Sequence, residues 1–185
     1  MIGQDLKTSL LDLARRKIQS HFDGNTLWKV TSGPEELFKN AAVFVTLTLQ
    51  GELRGCIGSL QPWRPLWEDV GNNAHAAAFQ DPRFPPVEEN ELSQIKIEIS
   101  LLTPSQEIHF SNPEELISLL QPRVHGVIFQ YQGHRSTFLP QVWDQLPDPL
   151  DFLNHLCLKA GTKIDDWRKP GVMIQVYEVE KWKEV

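Results

Sequence analysis

Residues 43–59, VFVTLTLQGELRGCIGS, have the pattern of a β-hairpin. From residue 43 to residue 49, aliphatic side chains alternate with phenylalanine and threonine, which is typical of a half-buried strand. Gln50-Gly51-Glu52 then supplies turn residues, and residues 53–59 form the partner strand. The sequence therefore predicts an antiparallel hairpin in the first third of the chain.

Helical and strand patterns surround this hairpin and recur in the second half of the chain. The predicted order of helix, hairpin, helix and strand occupies residues 4–22, 43–59, 65–79 and 95–101, and then a helix from Pro113 and residues 126–139, 149–160 and 172–176. This pattern indicates an α+β fold with antiparallel sheets and flanking helices. We expect a single domain, residues 1–185, with two intimately packed subdomains, 1–103 and 104–185, related by an internal repeat. The cleft between them is the default ligand site.

Composition limits the classes of function. The chain has 185 residues, 41% of them hydrophobic, and a formal net charge of -6. That size and composition suit one globular domain, and the negative charge argues against a nucleic-acid-binding face. No apolar stretch has the length of a membrane span or the form of a signal peptide, so we expect a cytoplasmic protein without membrane association. Two cysteines, Cys56 and Cys157, are too few for a disulfide framework or a cysteine-rich zinc site.

Cys56 is the main candidate for chemistry. On an extended strand, alternation puts Arg54 and Cys56 on one face, roughly 6–7 Å apart, where a guanidinium favours a thiolate. Gly55 and Gly58 remove side chains beside the thiol, which permits a bulge or the close approach of a substrate. The alternative is that Cys56 is a small buried core residue, as free cysteines often are.

The register of the hairpin separates these two interpretations. A two-residue loop at Gly51-Glu52 places Cys56 with Leu47, in the core. A three-residue loop pairs polar residues with polar ones: Cys56 with Thr46, and Arg54 with Thr48. The polar matching favours the second register, in which the thiol faces away from the core.

A nucleophilic thiol needs a base, and His75 and His125 are the candidates. His75 falls in the helix after the cysteine strand, whereas His125 falls in the second half and is expected to face Cys56 across the cleft. A single histidine in such a position is more often structural than catalytic. No metal-ligand spacing emerges, so we predict no metal site, and the sequence identifies no cofactor.

Asp81 and Arg83 flank Pro82 in the proline-rich loop that follows this helix. They are candidates for substrate binding, because the charges of Asp81 and Arg83 suit an anionic or polar group. Gly55 and Gly58 are the other two candidates. The alternative, which the sequence favours, is that they cap the preceding helix and pair with each other.

Several strings together resemble one known family. They are LRGCIG at 53–58, AAAFQDPRFPP at 76–86, IEIS at 97–100, FLPQV at 138–142 and LCLKAG at 156–161. They are similar to the AMMECR domain family, known in bacteria and archaea as protein A of the AmmeMemoRadiSam system. The departures are Ser59, where the family usually has threonine, and residues 121–123, where it often has a glycine before His125.

The resemblance implies an α+β fold with two subdomains and no settled biochemical activity. It also implies association with a radical enzyme and a Memo-type protein. Two hypotheses follow. The first, which the sequence slightly favours, is a modifying enzyme that acts on a small molecule or a macromolecular side group, with a cleft centred on Cys56 in which Arg54 tunes the thiol. The second is a noncatalytic protein that binds a ligand or partner, or acts as an adaptor.

Overall fold

The computed structural model describes residues 2–24 and 29–185 of the chain. In those residues, four α-helices and two antiparallel sheets form the predicted α+β fold. The helices are α1 (Gln4–Phe22), α2 (Leu66–Phe79), α3 (Pro113–Leu119) and α4 (Pro149–Ala160). The strands are β1 (Asn40–Leu49), β2 (Glu52–Gly58), β3 (Arg64–Pro65), β4 (Ile95–Leu102), β5 (Gln106–Ile108), β6 (Gly126–Tyr131), β7 (His134–Phe138), β8 (Met173–Tyr177) and β9 (Val179–Lys183). None of the described helices is long and apolar enough to cross a membrane.

The chain divides into two compact units. One consists of Met1–Leu102 with Glu180–Val185, and the other of Thr103–Val179. Each unit contains the order helix, hairpin, helix and strand.

The sheet of the first unit has the strand order β2-β1-β4-β9, and the two-residue β3 pairs with the start of β1. The predicted antiparallel hairpin is confirmed, and β4 pairs antiparallel with the other edge of β1. Alternate residues of β1 are fully buried, among them Val43, Val45 and Leu47. They join the apolar side chains of α1 and α2 in one core, so this face of the sheet is the covered one.

The second unit has the strand order β5-β8-β6-β7, again with antiparallel pairing. Its core contains the stacked rings of Trp143 and Phe152, whose centroids lie 3.7 Å apart. The prediction that α4 buries Leu153, Leu156 and Cys157 is confirmed, since all three are fully buried. The apolar stripe of this helix therefore forms the core of its unit.

Both hairpins turn at a Gln-Gly pair. Gln50 and Gly51 have φ angles of 53° and 89°, and Gln132 and Gly133 have φ angles of 50° and 82°. Two successive residues with positive φ form the type of two-residue turn that matches the right-handed twist of paired strands. The first loop is therefore Gln50-Gly51. It begins one residue earlier than the two-residue loop considered in the sequence, Gly51-Glu52, and it is one residue shorter than the favoured three-residue loop.

Sequence analysis did not predict β5 or β9. Three of the five residues of β9 are charged, so no apolar alternation marks it as a strand. It pairs with β4, and contacts with distant residues of α1 hold it there: Trp182 Nε1 donates to the carbonyl of Lys7 at 3.1 Å, and Glu184, just after the strand, pairs with Arg15 at 2.5 Å. A strand fixed by such contacts has little signal in its own sequence.

Candidate functional site

The register of the β1–β2 hairpin places Cys56 opposite Thr46. The favoured register predicted this pairing, which is confirmed, but its reason is different. The two-residue turn alone would pair Cys56 with Val45. A bulge opposite Leu47 and Thr48 leaves Arg54 as an extra residue in β2, and this moves Cys56 back to Thr46. The predicted pairing of Arg54 with Thr48 is wrong, since Thr48 pairs with Leu53.

The Cys56 side chain lies on the face of the sheet opposite α2. A Cβ on the neighbouring Gly55 would point at Ala77 of α2, and successive residues of a strand point to opposite faces. The thiol is half-buried, and its sulfur lies 3.2 Å from the Thr46 hydroxyl in a hydrogen bond. The cysteine is thus not a residue of the closed core, unlike Cys157.

Asp81 and Arg83 hold the backbone of Cys56. The Cys56 N–H donates to Asp81 Oδ2 at 2.9 Å, and Arg83 Nη2 donates to the Cys56 carbonyl at 3.2 Å. The two side chains also pair with each other at 2.7 Å. Of the two predicted roles, mutual pairing is observed, while contact with a substrate stays a prediction.

The ion pair of Asp81 and Arg83 is asymmetric in its burial. The Asp81 side chain is 2% exposed and that of Arg83 is 54% exposed. The Arg83 guanidinium, together with the N–H groups of Cys56 and Arg83, holds the pKa of the Asp81 carboxyl well below its usual range. A buried, ionised carboxylate therefore fixes the outer edge of β2, where backbone groups would otherwise be unpaired.

Arg54 binds the proline-rich loop that follows α2. This segment, residues 81–91, is called the 81–91 loop. Its Nε and Nη2 donate to the two carboxylate oxygens of Glu91 at 2.7 and 2.9 Å. Its remaining bonds go to the carbonyls of Pro85 and Pro86, at 2.9 and 3.2 Å. Because these partners take its donors and Glu91 balances its charge, the predicted stabilisation of a Cys56 thiolate by Arg54 loses its physical basis.

Gly55 and Gly58 leave no space for a substrate where their side chains would be. A Cβ at Gly55 would lie 2.1 Å from the carbonyl oxygen of Ala77, and one at Gly58 would lie 2.2 Å from the Phe44 ring. Both positions are filled by the protein itself. The glycines permit close packing rather than the predicted close approach of a ligand.

His75 faces α1 and contacts another histidine. Its Nε2 lies 3.3 Å from Nδ1 of His21, and both rings pack on Phe79. Burial, with the nearby charges of His21 and Lys17, lowers the pKa of His75. The hydrogen bond to His21 leaves that nitrogen occupied, so a role for His75 as the base of Cys56 has no support in its contacts.

The lowered pKa of His75 predicts a pH dependence of stability. A folded state that favours the neutral ring is fully stabilised above the unfolded pKa of about 6.5, and this contribution is lost as pH falls through the lowered pKa. His75→Gln keeps a polar side chain but does not titrate. We expect urea denaturation between pH 7.5 and pH 5 to show a smaller loss of stability in this variant than in the wild type.

His155→Gln is the matched control for that measurement. His155 is exposed in the second unit and is bonded only locally, through Nδ1 and the carbonyl of Asp151. Its profile should follow that of the wild type. If His75→Gln loses as much stability on acidification as the wild type, His75 does not cause the pH dependence.

His125 lies in the second unit, in the loop before β6. Its Nδ1 accepts from the N–H of Gln121 at 3.2 Å, and its carbonyl accepts from Trp143 Nε1 at 2.7 Å. Burial lowers the pKa of His125 and so favours the neutral ring, and a neutral ring whose Nδ1 accepts a hydrogen bond carries its proton on Nε2. These contacts give His125 a structural role in its loop. Its approach to Cys56 stays a prediction.

Arg123 adopts a strained conformation in this same loop. Its φ is 67°, a left-handed conformation that suits glycine, and it occupies the segment where the family often has one. We expect Arg123→Gly to raise the free energy of unfolding of the second unit by about 1 kcal/mol. The lost ion pair with Asp144 has little weight because both side chains are more than half exposed.

Arg123→Ala separates strain from charge. It removes the same ion pair but keeps a side chain at the left-handed position, so it should bring no gain. Thermal unfolding of the two variants compares them directly. Equal stability of the glycine and alanine variants would show that backbone strain at this position is negligible.

A second buried polar cluster lies at the far end of the hairpin, and sequence analysis missed it. The Asp69 side chain, 1% exposed, accepts from the N–H of Val43 at 2.9 Å and from the Ser59 hydroxyl at 2.7 Å. It also pairs with Arg64 at 3.0 Å. Burial nevertheless raises the pKa of Asp69. Ser59, noted as a departure from the family, is therefore a hydrogen-bonded residue of this cluster.

Two adjoining surface pockets open along the 81–91 loop. One has a volume of about 350 Å³ and is lined by Arg54, Phe84, Pro85, Pro86, Glu88 and Glu91. The other, of about 500 Å³, is lined by Glu88, Glu89 and Asn90. Glu88 lines both, so the two pockets lie next to each other, and they are together called the groove. No sequence pattern indicated Glu91 or this groove, because Arg54 and Glu91 lie 37 residues apart along the chain.

Metal ligation has no geometric basis in the part of the chain that the structure describes. No three side chains of histidine, cysteine, aspartate or glutamate are grouped there to hold an ion.

The fold and this site define a class: α+β proteins of two antiparallel units in which a glycine-flanked cysteine strand is fastened to a proline-rich loop. The chain belongs to the AMMECR1 family, whose model matches residues 11–182. It is 34% identical over 178 residues to Protein NEQ441 of Nanoarchaeum equitans, covering 95% of this chain and 99% of that protein. It is 37% identical to Protein MK0488 of Methanopyrus kandleri, covering 95% of this chain and 86% of the relative.

A solved structure supports the same assignment. The chain resembles the crystal structure of uncharacterized protein PH0010 from Pyrococcus horikoshii, with a TM-score of 0.79 and 34% identity. The match covers 95% of this chain and 89% of that one. Family and fold are therefore established together.

Proposed function

We propose that this chain is a noncatalytic binding protein whose recognition surface is β2 with the 81–91 loop. The observation that carries the proposal is the fastening of this loop by Arg54, which makes four bonds of 2.7–3.2 Å to Glu91, Pro85 and Pro86. The prolines restrict the backbone of the loop, and the hydrogen-bonded guanidinium of Arg54 holds it in place in the absence of a partner. Such preorganisation reduces the entropy lost on binding.

The surroundings of Cys56 support binding over catalysis. Among the described contacts, its sulfur is hydrogen-bonded to the Thr46 hydroxyl, which is a poor base. His75 is hydrogen-bonded to His21 instead of to the thiol. A nucleophilic thiol requires a base within hydrogen-bonding reach or a cation that favours the thiolate. With Arg54 bound to Glu91, Cys56 is better suited to touch a ligand than to attack one.

A modifying enzyme with Cys56 as nucleophile remains the second candidate. One observation favours it: the thiol is half-buried rather than closed off, and the exposed guanidinium of Arg83 lies at the Cys56 carbonyl, 3.2 Å away. In this version Arg83 takes the role that sequence analysis gave to Arg54. The family association with a radical enzyme and a Memo-type protein is a prediction that suits either candidate, because both need a recognition surface.

Photo-cross-linking tests the binding proposal. Glu89 is an exposed residue of the loop, and it is replaced by the photoreactive residue p-benzoylphenylalanine. Glu36, an exposed glutamate of the same unit, receives the same replacement as a matched control. In cell extract, the Glu89 position should form discrete adducts that the Glu36 position does not form. The adducts should require irradiation and should persist when Cys56→Ser is added, because the benzophenone at position 89 forms the cross-link and Cys56 supplies only part of the surface.

The opposite pattern would contradict the proposal. Adducts that are equal at the two positions would remove the loop as a recognition surface. A covalent adduct that forms without irradiation and vanishes with Cys56→Ser, while circular dichroism shows an intact fold, would favour the enzyme.

A further inference from the structure

The groove along the 81–91 loop has an apolar wall and a charged mouth. Phe84, Pro85 and Pro86 form the wall, and Glu88 lies in both pockets that make up the groove. Phe84 is half-buried, so one side of its ring is supported by the protein. A rigid apolar wall beside charged groups is the general form of a side-chain docking site.

The charge of the groove is negative after internal pairing. Glu91 is neutralised by its two-point pairing with Arg54, and Glu91 raises the pKa of that arginine further. Glu88 and Glu89 then remain as carboxylates with no salt-bridge partner within 4.0 Å among the described residues. Arg54, 11% exposed and bound on all sides by the loop, offers little to an incoming anion. The complementary ligand is therefore a cation.

The Phe84 ring already carries a cation on one side. The guanidinium carbon of Arg83 lies 5.4 Å from the ring centroid, within the range of cation–π attraction. This contact shows that a planar guanidinium fits the surroundings of Phe84. An arginine is preferable to a compact ammonium here, since its plane packs on proline and aromatic surfaces while its donors reach carboxylates.

We propose that this groove docks an arginine-containing segment of a partner protein, with the guanidinium at Glu88 and Glu89 and the aliphatic stem along Phe84 and the prolines. The inference rests on the proposed function, because it names the chemistry of the partner that the 81–91 loop binds. Charge complementarity and the apolar wall are two requirements that one arginine side chain meets together.

The test uses two peptides, acetyl-Gly-Arg-Arg-Gly-amide and its counterpart with citrulline at both arginine positions. Citrulline keeps the shape of arginine without its charge. Titration of the full chain, followed by two-dimensional NMR, should perturb the amides of Phe84 and of residues 87–91 with the arginine peptide. Binding of the citrulline peptide should be weaker by about fivefold, the size expected for exposed charge pairs. Raising the salt concentration should reduce this difference.

Variants assign the charge to the groove. Glu89→Gln, which is exposed, should weaken binding of the arginine peptide by about threefold, and Glu88→Gln should do so at least equally. Glu36→Gln is the matched control and should change nothing. Because Glu88 also accepts a backbone hydrogen bond within its 3₁₀ turn, Glu89→Gln keeps the test valid if Glu88→Gln alters the loop.

Two results would overturn the inference: equal binding of the two peptides, or perturbations that lie outside residues 84–91. Either one, found together with cross-linked adducts at Glu89, would refute the arginine chemistry and leave the binding function standing. Arginine-selective binding without adducts at Glu89 would support the groove as a guanidinium site and contradict its use by a protein partner in the extract.

Discussion

Gly55→Ala is expected to lower the free energy of unfolding by at least about 3 kcal/mol, and the midpoint of thermal unfolding by about 10 °C. The added Cβ would lie 2.1 Å from the carbonyl oxygen of Ala77, which belongs to the backbone of α2. A backbone atom cannot rotate away, so β2 and α2 must separate or distort. Urea denaturation at pH 7 measures the loss.

Gly58→Ala is the matched comparison on the same strand. Its Cβ would meet the Phe44 ring at 2.2 Å, and a half-buried ring can shift with less cost than a helix backbone. The loss should therefore be smaller than that of Gly55→Ala. If Gly55→Ala kept full stability and only prevented cross-linking at Glu89, the glycine would serve ligand approach, as the sequence first suggested.

Asp81→Asn is expected to cost about 3 kcal/mol at pH 7. The carboxylate accepts from the N–H of Cys56 at 2.9 Å and from the Arg83 side chain at 2.9 and 2.7 Å. An amide turns one acceptor into a donor, which leaves a buried donor without a partner. The edge of β2 and the start of the 81–91 loop should loosen together, so cross-linking at Glu89 should fall as well.

The pH dependence of this effect has a definite sign. The folded pKa of Asp81 is lowered, so its stabilisation is complete above the unfolded pKa of about 3.9 and is lost as pH falls through the folded value. The difference between the wild type and Asp81→Asn should therefore shrink below about pH 4. A difference that stays constant from pH 7 to pH 3 would mean that charge is not its cause.

Asp69→Asn is the natural control, because the pKa of Asp69 is shifted in the opposite direction. Burial raises its pKa, so the folded protein disfavours the charged form despite the contact with Arg64. Removing that charge should cost only about 1 kcal/mol. Equal losses for the two variants would show that buried hydrogen bonds, rather than charge, control both sites.

The sequence predicted the fold well wherever periodicity carries the signal. The alternation in residues 43–49 and the apolar stripe of α4 were enough for the hairpin and the helix, because burial of one face determines both. β9 has no such stripe, and its position depends on contacts with residues more than 80 positions away, such as Arg15 with Glu184. Local patterns hold no information about such contacts.

The candidate site was predicted in part. The pairing of Cys56 with Thr46 followed from matching polar faces, and the strings around Cys56 and Asp81 identified the family. The partner of Arg54 was missed, since a salt bridge between β2 and a loop 37 residues later has no spacing rule. The bulge at Arg54 was missed for a related reason: turn and bulge compensate each other, so the final register does not reveal either one.

The role of Cys56 is the central claim, and alkylation of its thiol tests it most directly. In a Cys157→Ser background, the rate of reaction with iodoacetamide at pH 7 is compared with that of free N-acetylcysteine amide. The sulfur is half-buried and hydrogen-bonded to Thr46, with no base or free guanidinium hydrogen-bonded to it in the described part of the chain, so it should react more slowly than the free thiol. A rate about tenfold faster than the free thiol, lost on Arg83→Ala while the fold remains intact, would contradict the binding role and establish an activated nucleophile.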